Sequence, residues 1–148
     1  MNVDWKHYDT SRDVSILNNI FGSLPKQLRN LGPELVEHFR VAAGMVHLWG
    51  TSYGKGWGTT NETTGLTFNS DTIVRMLISY GLFRHEVADY KRIEVKKVKI
   101  NTCNDRDVCD ACQRLAGKIY KLSEVPEMPY EECTHEFGCR CWVGIDEY

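Results

Sequence analysis

The sequence predicts an α+β fold, with three N-terminal helices followed by a small, irregular, cysteine-rich β module. Three observations lead there. Apolar residues recur at helical spacing over residues 11–22, 33–50 and 70–81. Apolar and charged residues alternate between Ile93 and Ile100, the spacing of a strand. Six cysteines crowd into the 39 residues from Cys103 to Cys141. The division that follows is a mainly helical domain over 1–92 and a strand plus cysteine-rich module over 93–148.

The first helix is expected from Ser11, a good N-cap, to Gly22, a good stop. Val14, Leu17 and Phe21 form one apolar row, and Ile16 and Ile20 a second. The second helix should begin at Pro33, because proline lacks only an N–H that the first turn leaves unpaired anyway. Its apolar face comprises Leu35, Val36, Phe39, Ala43, Val46 and Leu48; Gly44 weakens it and Gly50 ends it. A Gly/Thr-rich loop follows over 50–66. Its Tyr53–Gly58 stretch has the spacing of neither nucleotide-binding fingerprint, so a flexible surface loop or a hairpin is the better reading, and its length also suits a binding loop or one ordered only against a partner. The third helix is expected from Ser70 or Asp71, with Ile73, Val74, Leu77 and Ile78 apolar and a stop at Gly81. Such a helix is more often core than a DNA-reading element. Within Ile93–Ile100 the Lys96-Lys97 pair breaks strict alternation, which predicts a bulge or an edge strand guarded by lysines.

Composition narrows the function classes. The formal charge is −2, so the chain as a whole has no bulk attraction to nucleic acid or acidic lipid. The average hides an asymmetry. Residues 84–100 carry six Lys/Arg against three Asp/Glu, and residues 121–148 carry two against seven. The N-terminus lacks the pattern of a signal peptide, and no apolar run approaches the roughly 20 residues that span a bilayer. The expectation is a protein kept in a reducing cytoplasm, without a membrane anchor, where clustered cysteines favour metal over disulfides.

The cysteines run Cys103-x5-Cys109-x2-Cys112-x20-Cys133-x5-Cys139-x-Cys141, with His135 inside the last group. A Cys-x2-Cys pair followed by a second ligand group about 20 residues on is the spacing of a four-coordinate structural zinc site. Cys109 and Cys112 supply one half. The other half is over-supplied: Cys139 and Cys133 are the first choice, with His135 and Cys141 as alternates, and Cys103 a bystander or a second contact. Asp107 can cap a short helix carrying Cys109, Cys112 and Leu115. Trp142 and Val143 can cover the metal. A redox Cys-x2-Cys would need a βαβ setting that the sequence does not show. A zinc deaminase would need His-x-Glu and Pro-Cys-x2-Cys, and both are absent. No arrangement of nucleophile, base and acid stands out, so an enzyme is not expected.

Four segments occur in a telling order: Val108-Cys109-Asp110-Ala111-Cys112, Leu115-Ala116-Gly117-Lys118-Ile119-Tyr120, Pro126-Glu127-Met128-Pro129 and Cys139-Arg140-Cys141. Together they resemble the C-terminal cysteine module of the phage Mu F-like minor head proteins. The resemblance spans about 40 residues, 103–143. This chain departs from the family pattern at Thr134–Gly138, where the family places His-Pro, and in carrying Cys133. The resemblance implies a phage-encoded structural protein of the virion, in the head, neck or connector region, with a structural zinc ion (Zn2+). Its partners would be other virion proteins or copies of itself, and its place the host cytoplasm and then the virion. The alternative is a small zinc-containing regulator that binds nucleic acid or interferes with the host, motivated by the basic stretch from Lys91 to Lys99.

Overall fold

The computed structural model describes residues 10–50 and 68–148. The loop expected over 50–66 lies outside them except for Gly50. The fold is α+β. In chain order the described elements are α1 (Ser11–Gly22), a 3-10 turn (Lys26–Leu28), α2 (Pro33–Trp49), α3 (Ser70–Arg92), β1 (Lys97–Asn101), α4 (Asp110–Leu115), β2 (Ile119–Lys121), a second 3-10 turn (Leu122–Glu124) and β3 (Trp142–Glu147). The strands form one antiparallel sheet in the order β2-β1-β3.

The helix ends follow local chemistry. Pro33 opens α2, and Gly50 closes it at φ +75, with its N–H on the Val46 carbonyl. The cap of α3 is Asn69, whose side chain accepts from Thr72 N at 2.9 Å; it sits one residue before the expected Ser70. In α1 the residue before the helix is Thr10, which makes no side-chain cap bond, and Ser11 is already helical. The buried row of α1 is Ile16 and Ile20, whereas Val14 and Phe21 are 53% and 43% exposed. Leu17 and Phe21 instead lie against Gly44 of α2. On α2, Val36, Phe39, Ala42 and Ala43 are buried and Leu48 is exposed.

Two expectations are corrected. The third helix does not stop at Gly81 but runs on to Arg92. Gly81 is where α1 crosses α3. A Cβ there would stand 2.9 Å from Ile20 Cγ1 and 3.0 Å from the Ile16 carbonyl, and Asn19 Nδ2 donates to the Gly81 carbonyl at 3.1 Å. The glycine serves a close helix approach, not a helix end. The strand expected over Ile93–Ile100 begins only at Lys97, because Ile93 caps α3 and Glu94 takes φ +61. It is central rather than an edge, since the acidic tail supplies β3 on its free side. The expected irregularity is present as a register shift between Lys97 and Val98.

Two apolar clusters result. One is helical and centred on Ile16, Ile20, Phe39, Ile73 and Leu77. The other gathers Val98, Ile100, Val108, Leu115, Met128 and Val143 around Cys112, Cys133 and Cys139, with Phe83 and Tyr90 of α3 packed against it. Helix α3 therefore takes part in both. The loop before Cys139 is tied back to the helices. Gln27 Nε2 donates to the Cys133 carbonyl at 3.2 Å and Thr72 Oγ1 to the Glu136 carbonyl at 3.2 Å, while Gly138 rests on Thr72 and Met76.

Candidate metal centre

The centre is built from two turns. In the first, Asp105 accepts from Asp107 N and Val108 N, closing a tight bend after Asn104 at φ +51. Cys109 then occupies the N-cap position of α4 in an extended conformation (φ −71, ψ 161), and Cys112 lies within the first turn. This corrects the expected cap. Asp107 stays in the preceding bend, 4.0 Å from His135 Nε2, because Cys109 already holds the cap position. The second turn begins where Cys133 N donates to the Tyr130 carbonyl. Gly138, at φ +77, donates to the His135 carbonyl and turns the chain so that Cys139 faces Cys112.

All six cysteines are free thiols. Five of their sulfurs form two trios that share Cys112: Cys109, Cys112 and Cys133, then Cys112, Cys139 and Cys141. Within each trio every sulfur lies within 4.8 Å of the others. Cys109 Sγ is 3.7 Å from Cys133 Sγ, and Cys112 Sγ is 3.7 Å from Cys139 Sγ. A tetrahedral ion with metal–sulfur bonds of about 2.3 Å holds its sulfurs about 3.8 Å apart. These groups are positioned to hold a metal ion.

The alternates fall differently. Cys141 belongs to the second trio, and its N–H points at Cys139 Sγ at 3.5 Å. His135 lines the small cavity among the cysteines but joins neither trio, and its Nδ1 accepts from Phe137 N at 3.2 Å. Cys103 is exposed, near the Arg140 carbonyl and outside both trios. Of the two expected covering residues, Val143 is buried in the cluster and Trp142 is 49% exposed. Arg140 pairs with Asp105, while its Nε is buried at the cavity edge with no hydrogen-bond partner among the described residues.

The electrostatics of the thiols are those of a site waiting for positive charge. Burial opposes ionisation of Cys109, yet the N–H groups of Cys112 and Thr134 and the thiols of Cys112 and Cys133 together bring it down to about 7. The thiols of Cys112, Cys133 and Cys141 all donate toward Cys139 and hold it well below the ordinary thiol range. The same contacts act in reverse on Cys133, where Cys112, Cys139 and burial push ionisation upward. Once Cys139 is a thiolate, neighbouring thiolates are disfavoured unless a cation joins them.

Sequence reasoning missed Glu86, which lines a cavity of about 110 Å³ with Cys141, Trp142 and Met128 and whose carboxyl is raised chiefly by burial. Its position on α3 became meaningful only when that helix ran past Gly81. No helix among the described residues is long and apolar enough to cross a membrane. Compared with models of known protein families, with curated proteins and with solved structures, the chain matches none.

Proposed function

We propose that this chain is a phage-encoded structural protein of the virion whose C-terminal module is braced by a structural zinc ion on Cys109, Cys112, Cys133 and Cys139. The observation that carries the structural role is the setting of the sulfurs. Cys112, Cys133 and Cys139 are buried among Val98, Val108, Leu115 and Val143, and the cavity among the cysteines measures only about 10 Å³. A space of that size holds at most about one water and no substrate. A catalytic zinc keeps an open coordination position, whereas a structural one is closed by four protein ligands. The zinc would supply folding energy to the module, on the order of 10 kcal/mol.

The virion assignment is supported by the ordered resemblance of residues 103–143 to the phage Mu F-like module. In this reading exposed apolar residues of the helical part, such as Leu48 and Trp49, face neighbouring virion proteins or other copies of the chain. A nucleic-acid-binding regulator is supported less well. The basic stretch that motivates it, residues 91–99, is short, and its strand β1 is flanked by β3, which carries Asp146 and Glu147. The test is twofold. Metal analysis of the purified protein should return one zinc per chain. Mass spectrometry of purified particles of the encoding phage should recover the chain in stoichiometric amount. A chain that carries zinc but is monomeric and absent from particles would overturn the virion reading and leave the zinc reading standing.

A further inference from the structure

A groove of about 800 Å³ opens between the second half of α3 and the start of β1 and end of β2, and no cysteine lines it. Its floor is apolar. Phe83 and Val87 come from the second half of α3, Val95 from the connection to β1, and Leu122 and Val125 from the segment after β2. Lys91, Lys96, Lys97 and Lys121 also line it. Lys97 and Lys121 are direct partners across β1 and β2. Like charges placed opposite one another on a sheet repel, so the pair is a local cost that an anion would relieve. Glu147 at 2.5 Å from Lys97 and Glu124 at 3.6 Å from Lys121 offset this only weakly, because both pairs are exposed. Lys91 has no carboxylate partner among the described residues. The one acidic lining residue, Glu127, is engaged elsewhere: its carboxylate accepts from Lys26 N at 3.0 Å.

A groove of this volume, with several apolar lining residues and four lysines against one glutamate, has the character of a small-ligand site. We propose that it binds a small amphipathic anion, with an apolar chain lying on Phe83, Val87, Val95, Leu122 and Val125 and a carboxylate-type head among the lysines. The apolar body gains by leaving water, and the head makes charge-assisted hydrogen bonds to ammonium groups. The assignment does not rest on the virion reading.

Calorimetric titration of the zinc-loaded full chain with decanoate, below its micelle concentration, tests it against decan-1-ol as a neutral probe of the same length. Decanoate should bind at one site per chain, about tenfold or more tighter than the alcohol, as one or two charge-assisted bonds imply. Lys91→Glu and Lys96→Glu should each weaken decanoate by about tenfold and leave decan-1-ol unchanged. Lys99→Glu, on β1 but outside the groove, should change neither. Val87→Asp should weaken both probes. The lysines are exposed, so these variants will fold, and far-UV circular dichroism verifies each. Equal affinity for acid and alcohol, equal losses in Lys99→Glu and Lys96→Glu, or no decanoate binding would each overturn the proposal.

Discussion

Gly81 and Ile20 meet where α1 crosses α3, so closely that a Cβ on the glycine would stand 2.9 Å from Ile20 Cγ1. The contact sets how α1 lies on α3. The backbone carbonyl of Ile16, 3.0 Å from the same point, cannot rotate away as a side-chain tip could.

Gly81→Ala is therefore expected to destabilise the protein although alanine is the better helix former. The propensity gain is about 1 kcal/mol, while forcing a methyl into a closed contact costs about 1–3 kcal/mol. Urea unfolding should show a net loss of up to about 2 kcal/mol by the same reckoning. Gly44→Ala is the control: its Cβ would meet Leu17 at 3.4 Å, ordinary contact, and the variant should be neutral or slightly more stable.

The same glycine shows where sequence legibility ended. Pro33 and Gly50 act locally, through a missing N–H and a positive φ, so both ends of α2 could be read from the chain. Gly81 acts through Ile16 and Ile20, more than 60 residues away, and a single sequence gives a crossing glycine and a stopping glycine the same letter. The apolar row of α1 was ambiguous for a related reason: Val14 and Ile16 are equally apolar, and only the position of α3 decides which is buried. Strand β3 escaped notice because Asp146 and Glu147 dilute its pattern; its pairing with the lysines of β1 is a long-range matter. At the metal centre the Cys109/Cys112 half was legible from spacing. The remaining order of Cys133, Cys139 and Cys141 depends on how the bend at Gly138 aims each sulfur.

The shared position of Cys112 in both trios leads to a graded prediction for serine variants. Cys112→Ser should abolish zinc retention, since either trio loses its common member. Cys103→Ser should leave one zinc per chain, because that thiol is exposed and outside the cluster. Cys141→Ser should retain zinc if Cys133 and Cys139 complete the site. Elemental analysis after gel filtration reads all three, and zinc loss in Cys141→Ser with retention in Cys133→Ser would reassign the fourth ligand.

Chelation should separate the two apolar clusters. The helical cluster around Phe39 and Leu77 contains no cysteine, whereas the second is built around Cys112, Cys133 and Cys139. Removing the metal with a strong chelator should leave most of the 222 nm helical signal while exposing the five clustered thiols to a maleimide reagent within minutes; Cys103, already exposed, should react before the metal is removed. Loss of helix and module together would show that α3 makes them one cooperative unit.

Acid should release the metal, and Cys109 fixes the direction. Its pKa in the fold, about 7, lies below the ordinary thiol value of 9.0, so folding favours its thiolate. Its contribution to stability is complete above about pH 9 and is lost as the pH falls through about 7. Thiolates are the form that binds zinc, so zinc affinity should fall over the same descent. Competition against a zinc chelator of known pH dependence, run from about pH 9 down to about pH 6, should show the affinity falling as the pH passes through the value that the N–H groups of Cys112 and Thr134 set for Cys109. An affinity unchanged over that range would overturn it.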